Sequence, residues 1–438
     1  MAIKVWDHDM ECMAPHKMKV LQKNRFLSLA RWAYERSPFY RTKYDQAGIN
    51  PATLRSLKDI TKLPFIYKDD LRASQERTPP YGEHCVAPRD IYRTYWSTGT
   101  TGRPTFMGVS YKEAIYWDAV AARNLFACGL RKGDVFHHAT QLSSFAGGYG
   151  FLVAAQLVGA NIIPAGAGNT ERHIHLIATL KPDFIKILPS YANYVAEVAY
   201  KMGIDFSASS VSRVYLSAEP SPPALRGEIE RKWQATTYDS YGLSDIGQPQ
   251  AFECEERDGL HDIPDWEFTE IIDPETKEPI HEPGKEGILV YTNLVRKTMP
   301  IIRFWTNNPS SWKSFDPCKC GRTAARINPI CRRVDDTIKV KGVNFWPSAI
   351  WAILGDQRDL AGTHRIVVET RQGKDYLKII AEFKEGIATE RSALTELLKN
   401  KFQSSLFIKV DEIEILSFGS LETGEHKAKT LIDLREPT

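Results

Sequence analysis

The sequence predicts an α/β fold in two parts: a large N-terminal domain of mainly parallel sheet covered by helices, with a β-rich subdomain, and a small α+β domain at the C-terminus. Three observations carry this. Between residues 112 and 238, helical and extended patterns alternate at short spacing, as in parallel strands joined by crossover helices. From about Phe268 the texture changes to strands and turns. After the charged stretch Arg332–Asp336 a fresh α+β pattern begins, roughly a hundred residues long. At 438 residues the chain exceeds what one hydrophobic core commonly supports. We therefore expect domains at 1–332 and 337–438, with a hinge at 333–336.

Residues 16–37 place Leu21, Phe26, Leu29, Ala30 and Ala33 at helical spacing, so an amphipathic helix is expected up to Ser37-Pro38. A second helical stretch continues from Phe39-Tyr40, and Asp59–Arg72 leads towards a Gly/Thr-rich segment. Lys112–Phe126 is an Ala-rich helix pattern. Gln141–Gly150 is broken by Gly147, Gly148 and Gly150, helix resumes at Phe151–Val158, and Asn161–Pro164 suits a short buried strand. The alternation then runs Ile174–Leu180 helix, Phe184–Leu188 strand, Ser190–Met202 helix, Val214–Leu216 strand, Pro223–Lys232 helix, Thr236–Tyr238 strand. Thr269–Ile272, Gly287–Thr292 and Ile301–Trp305 form the β-rich part. In the last domain, strands at Arg365–Glu369 and Tyr376–Phe383 flank a turn at Arg371–Lys374, followed by helix Thr389–Leu406 and strand Ile408–Leu416.

The chain is 42% apolar, 25% charged and 11% aromatic, the composition of a soluble globular protein. A net charge of +3 without a dense Lys/Arg tract argues against a nucleic-acid partner. No apolar run approaches the roughly 20 residues of a membrane span. Asp7, Asp9 and Glu11 close behind Met1 do not make a signal peptide, so a cytoplasmic location is expected. Seven cysteines, an odd number in a long chain, argue against a disulfide framework. Cys12, Cys85, Cys128 and Cys331 read as scattered thiols.

The chemistry centres on Tyr95–Thr105, Tyr-Trp-Ser-Thr-Gly-Thr-Thr-Gly-Arg-Pro-Thr. Gly99 and Gly102 let the backbone bend and present several N–H groups to one concavity, which suits phosphate oxygens. Ser97, Thr98, Thr100 and Thr101 add rotatable hydroxyl donors, and Arg103 adds a fixed charge. Taken alone, such a short stretch reads first as a Ser/Thr-rich turn between two strands. It lacks the Gly-Lys-Ser/Thr ending of a nucleoside-triphosphatase P-loop. Tyr238–Gln248 begins within a strand, and ligands of open α/β sheets lie beyond strand carboxyl ends. Tyr241-Gly242 and Asp245 therefore stand where a nucleotide could stack and Mg²⁺ could bind through one carboxylate plus phosphates, although Asp245 taken alone reads as an exposed turn carboxylate. Ala218, Glu219 and Pro220 close another strand and could meet an adenine edge, or form a simple turn.

Ser97–Thr105, Ser217–Pro220, Tyr241–Asp245, Ile302–Asn308, Arg333–Pro347 and Glu425–Asp433 follow the order and spacing of the adenylate-forming superfamily. Ala33–Arg41, Pro64-Phe65, Lys68–Leu71 and the run from Ile163-Pro164 to Asn169–Arg172 make the chain similar to phenylacetate–CoA ligases and related aryl-acid CoA ligases. The resemblance spans nearly the whole chain. It implies attack of a carboxylate on the α-phosphate of ATP, then displacement of AMP by CoA, with positioning and charge neutralisation dominating catalysis. It implies that Ser97–Gly102 and Arg103 hold the β- and γ-phosphates, Asp245 holds Mg²⁺, Tyr241 stacks on adenine, and Asn308 and Arg333 grip the ribose. Lys427 matches the lysine that bridges carboxylate and α-phosphate, beside Lys429. Asp335 matches the hinge about which a mobile C-terminal domain would turn, removing Lys427 and bringing in Lys341–Asn344.

Four positions depart from the family pattern: Arg103 for lysine, Asn308 for aspartate, Asp245 for glutamate and His426 for glycine. Cys254, His261, Cys318 and Cys320 supply three thiols and an imidazole, a complete structural Zn²⁺ set if they meet, and reduced loop cysteines if they do not. The acid pocket is expected along Gln141–Gly148 and Ile163–Gly168, with Phe145, beside Ala146, packing an aryl ring in space left by Gly147 and Gly148, or else serving as a core phenylalanine. The expected activity is that of an AMP-forming ligase joining an arylacetic acid such as phenylacetate or indoleacetate to CoA, with ATP and Mg²⁺ and no nucleic-acid or membrane partner. Loading of an aryl acid onto a carrier protein, a non-catalytic nucleotide-binding role, and a monomer or dimer all remain open on sequence.

Overall fold

The structure, a computed structural model, describes residues 5–97, 104–142, 146–247, 249–330, 338–341, 343–345, 347–355, 357–371, 374–387, 390–406, 408–421 and 430–435. The expected N-terminal helices are Pro15–Arg36 and Pro38–Gln46. Ser37 separates them: it is extended, its Oγ caps the second helix by accepting from Tyr40 N, and Pro38 sits at the first helical position. Phe26, Leu29, Ala30 and Ala33 are buried along one face, as their spacing requires.

The central sheet has nine strands, in the order Trp312–Ser314, Arg326–Ile327, Leu260–Asp262, Ala251–Phe252, Thr236–Tyr241, Arg213–Ser217, Phe184–Ile187, Val135–His138, Asn161–Ile163. The last five pair in parallel and the others antiparallel. Two apolar layers cover the parallel part. Ile185, Ile187, Val214 and Leu216 face helices Thr170–Leu180, Pro189–Lys201 and Pro223–Trp233. Phe136, Phe184 and Tyr215 face Tyr111–Ala127 and Tyr149–Val158. The parallel α/β expectation is thus met. Strand Val135–His138, absent from the sequence reading, lies inside this sheet between Phe184–Ile187 and Asn161–Ile163. Its four residues include two histidines, both buried, so apolar patterning did not mark it.

The β-rich part is an antiparallel sheet of Glu267–Ile272, Gly287–Asn293 and Phe304–Ser310. The third strand begins later than Ile301 because Arg303 has φ +54°, a left-handed turn that interrupts extended backbone. Arg303 then forks onto Glu270 at 3.0 and 3.1 Å. A hairpin, Ile91–Ser97 with Thr105–Ser110, brackets the Gly/Thr segment and pairs Ser97 opposite Thr105.

The C-terminal core draws on residues 338 to 431 alone. Its mixed sheet runs Glu412–Leu416, Lys374–Phe383, Leu360–Arg371, Leu431–Asp433, with helices Pro347–Gly355 and Arg391–Leu406 against it. The expected last strand starts at Glu412 rather than Ile408, whose side chain is buried in that core. Residues 333–336 lie outside the described residues, as do 372–373 of the expected turn and Thr389. Trp351 packs on the cluster of Pro189–Lys201 and Pro223–Trp233, and Lys201 Nζ lies 4.7 Å from the Phe418 ring centroid across the same seam. A cavity of about 400 Å³ opens there, lined among others by Tyr200, Phe206, Lys232, Ala361 and Phe418. Among the described residues no helix is long and apolar enough to cross a membrane.

Candidate active site at the strand ends

The hairpin that presents the Gly/Thr segment is anchored on two sides. Arg93 forks onto Asp118 of helix Tyr111–Ala127 at 2.7 and 2.9 Å, both groups largely buried. Gln75 of helix Lys68–Arg77 makes a reciprocal pair with the Phe106 backbone, at 2.9 and 2.6 Å. At the hairpin neck the Ser97 and Thr105 hydroxyls are both buried without a hydrogen-bond partner among the described residues. Two such hydroxyls on paired residues suit an acceptor such as a phosphate oxygen. Thr98, Gly99, Thr100, Thr101, Gly102 and Arg103 lie outside the described residues, as do Phe145, Arg333, Asp335 and Lys427.

The first residue of that Gln75 helix, Lys68, reaches Asp245, with Nζ 3.1 Å from Oδ2. One helix therefore ties the hairpin to the candidate metal carboxylate. Asp245 is 9% exposed, and its carbonyl accepts from the buried Arg296, which also binds the Ile246 carbonyl. Arg296 thus holds the Asp245–Ile246 turn from behind. The sequence reading missed both Lys68 and Arg296. Lys68 carried only a family signal, and nothing local marks a residue that meets its partner 177 positions away.

Tyr241 ends its strand half-buried, and its hydroxyl accepts from Asn308 Nδ2 at 3.0 Å. Asn308, 2% exposed, also donates to the Thr306 carbonyl and accepts nothing through Nδ2. An amide can make both donations, and a carboxylate could make neither. The Asn308 departure is therefore matched to its surroundings. Ala218 follows strand Arg213–Ser217 with φ +72°, a strained conformation for a residue with a side chain. Glu219 accepts from Ser190 N at 3.1 Å, while Ala218 and Pro220 are exposed. These segments share the carboxyl edge of the parallel strands, where α/β sheets bind ligands.

Ala146 and Gly147 are buried beside the same edge. A side chain at Gly148 would run into the Gln141 and Leu142 carbonyls, so the bend after the acid-pocket stretch needs glycine there. Beneath it, His138 and Lys186 pair across neighbouring strands, and both are fully buried. Desolvation pushes the Lys186 ammonium down to about 7 and the His138 imidazole well below its usual range.

Cys254, His261, Cys318 and Cys320 do meet: their ligand atoms all lie within 4.8 Å of one another. His261 Nε2 is 3.4 Å from Cys254 Sγ and 3.5 Å from Cys320 Sγ, and the Cys254 and Cys318 sulfurs are 3.9 Å apart. Cys254 follows the short strand Ala251–Phe252, His261 lies on Leu260–Asp262, and the other two come from the turn before Arg326–Ile327.

A family model described as AMP-binding enzyme matches residues 42–294, and one described as AMP-binding enzyme C-terminal domain matches 342–435. The chain is 35% identical over 383 residues to a phenylacetate–coenzyme A ligase of Thermus thermophilus, covering 87% of this chain and 85% of that one. It is 33% identical over 432 residues to the phenylacetate–coenzyme A ligase of Escherichia coli, covering 97% of each. A solved 2-hydroxyisobutyryl-CoA ligase in its postadenylation state with 2-HIB-AMP superposes with a TM-score of 0.90 at 29% identity, over 98% of this chain and 92% of that one. The same ligase with 2-HIB-AMP and CoA in the thioesterification state gives 0.73 at 30% identity, over 99% and 93%. Two family models in register and end-to-end relatives above 30% identity lead to one conclusion: the chain belongs to the AMP-binding enzyme family, in its phenylacetate–CoA ligase-like branch.

Proposed function

We propose that this protein is an ATP-dependent acid–CoA ligase whose substrate is an aromatic acid of the arylacetic type. The carrying observation is the end-to-end match, at 33% identity over 97% of both chains, to a ligase of phenylacetate. The acid's carboxylate attacks the α-phosphate of ATP, forming the acyl-adenylate and releasing pyrophosphate. The CoA thiolate then attacks the acyl carbon, and AMP leaves. Neither half-reaction needs a protein nucleophile, so the residues' task is to orient and to neutralise charge.

In this reading Ser97, with Thr98–Gly102 and Arg103, holds the β- and γ-phosphates. The orphaned Ser97 hydroxyl supports that assignment. Tyr241, held by Asn308, offers its ring to adenine, Gly242 keeps that edge open, and Ala218–Pro220 lie along the base. Asn308 and Arg333 are assigned to the ribose. Mg²⁺ would be held by Asp245 with the phosphates and would supply charge neutralisation there. The Asp245 carboxylate, already facing an ammonium at 3.1 Å, fits a site shared between cations. Lys427 bridges carboxylate and α-phosphate during adenylation, and Phe145, Ala146 and Gly147 line the acid pocket.

The higher TM-score on the postadenylation ligase than on its CoA-bound thioesterification state supports a domain arrangement that precedes CoA attack. The small domain would turn about 333–336, with Asp335 at the hinge. Zn²⁺ belongs to the cysteine–histidine cluster in a structural role. Tetrahedral Zn²⁺ with the usual bond lengths puts sulfurs about 3.8 Å apart and sulfur from nitrogen about 3.6 Å. The observed separations of 3.9, 3.4 and 3.5 Å fit those edges.

The test is a panel of aryl acids assayed for AMP release and thioester formation, with CoA or a carrier protein as acceptor. Arylacetates should release AMP and form CoA thioesters. Lys427→Ala should abolish adenylation yet spare thioester formation from preformed adenylate. Nucleotide binding without AMP release from any acid would overturn the reading.

A further inference from the structure

Lys186 is the one lysine in the fully buried core of the parallel sheet. It lies at the carboxyl end of strand Phe184–Ile187 and faces the layer of helix Tyr149–Val158, on the same side as Phe184. Its ammonium donates to Thr140 Oγ1 at 3.1 Å, the single hydrogen bond it makes among the described residues. Among the described residues no carboxylate faces it, and burial alone accounts for the lowered affinity for its proton. The Phe151 ring centroid lies 4.9 Å away and that of Tyr215 5.9 Å. The Tyr215 hydroxyl is turned elsewhere, to Asn124. An ammonium can donate three hydrogen bonds, so two have no acceptor among the described residues, where two aromatic faces stand close.

Such a group costs stability, and among the described residues only the Thr140 hydroxyl and two ring faces offset it. It stands where the acid is expected. Thr140 immediately precedes Gln141–Gly148, and His138, paired with Lys186 across the sheet, hydrogen-bonds the Gly148 backbone. Phe151 lies in the first turn of the helix that starts at Tyr149, just after Gly148. The ammonium is therefore tied, through Thr140 and through its strand neighbour His138, to both ends of the stretch assigned to the acid pocket.

We propose that Lys186 reads the substrate: the preferred acid carries a second oxygen group, a ring hydroxyl or a ring carboxylate, at the end remote from the reacting carboxylate, and Lys186 donates to it between the Phe151 and Tyr215 rings. This rests on the aryl-acid reading above. Arg or Asp would not serve equally at this point. A buried lysine can lose its proton to stay neutral and regain it against an acidic oxygen.

The experiment compares phenylacetate, 4-hydroxyphenylacetate and 4-carboxyphenylacetate by kcat/KM for AMP release, in the wild-type enzyme and in Lys186→Met. The wild-type enzyme should favour at least one oxygenated acid over phenylacetate by tenfold or more, and the arm that wins tells hydroxyl from carboxylate. Lys186→Met should cut that ratio at least tenfold. Its thermal midpoint should not fall, because a buried ammonium has been replaced by an apolar chain of similar length. A wild-type preference for phenylacetate, or a ratio unchanged within twofold in Lys186→Met, would overturn the inference while leaving the ligase reading intact. Absence of AMP release from all three acids and from the wider panel would overturn the ligase reading, and this inference with it.

Discussion

Replacing Cys318 with serine tests the cysteine–histidine cluster. The four donors come from two strands and one turn, and Cys254, His261 and Cys318 are 1%, 0% and 6% exposed. Removing one thiolate leaves three ligands and an open position, which a structural Zn²⁺ site does not tolerate. If the ion is held about a thousandfold more tightly than its free concentration requires, its release removes about 4 kcal/mol of stability. For a domain of this size each kcal/mol moves the midpoint by about 2–4 °C, so a fall of about 8–16 °C is expected. Loss of a buried thiol has its own cost, and Cys128→Ser measures it: Cys128 is equally buried but bonds Asn124 and the Glu253 carbonyl, away from the cluster. The assay pairs metal analysis with thermal unfolding, with and without a chelator. The wild type and Cys128→Ser should carry about one zinc per chain, and Cys318→Ser almost none. Protein made with ample zinc that holds less than about a tenth of an equivalent, and whose midpoint ignores both chelator and Cys318→Ser, would refute the reasoning.

Three further outcomes follow from the geometry. Arg303→Met should cost about 3–5 kcal/mol, because it strands the buried Glu270 carboxylate and frees the Thr61 and Leu63 carbonyls, while Arg303→Met with Glu270→Leu should recover much of it; a single-variant loss under about 1 kcal/mol by urea unfolding would contradict this. Burial, reinforced by Glu253, raises the Asp239 carboxyl from 3.8 to about 7, so the folded chain keeps a proton that the unfolded chain releases as pH climbs above 3.8. That carboxyl subtracts stability increasingly up to about pH 7, so Asp239→Asn should stabilise little at pH 4 and by up to about 4 kcal/mol at pH 7, whereas equal gains at both would exclude it. Lys68→Met leaves the largely buried Asp245 carboxylate without its ammonium and should lower stability by about 1–2 kcal/mol. Added Mg²⁺ should restore the midpoint of that variant more than it raises the wild type's, and an identical Mg²⁺ response in the two would remove Asp245 as a metal ligand.

What could be read from sequence was whatever acts over a few residues. The alternation from Lys112 to Tyr238 dictated helices and buried parallel strands, because backbone dihedrals and one-sided burial repeat with a short period. The glycine and hydroxyl content of Tyr95–Thr105 marked a bend, and it falls between paired strands. Strand ends were legible enough to single out Tyr241, Asp245 and Ala218. Val135–His138 escaped because two buried histidines disguise its apolar surroundings, and Phe304–Ser310 was misplaced because the left-handed Arg303 carries no glycine to announce it.

Tertiary structure alone decided which of these residues meet. Lys68 and Asp245 are 177 positions apart, Asn308 and Tyr241 67, Cys254 and Cys318 64. Such pairings depend on which faces of whole helices and sheets pack together, and no short-range periodicity encodes that. The same holds for Lys186. Its type and strand were plain in the sequence, but two aromatic rings and a threonine hydroxyl turned an ordinary lysine into a buried one with a single hydrogen bond among the described residues.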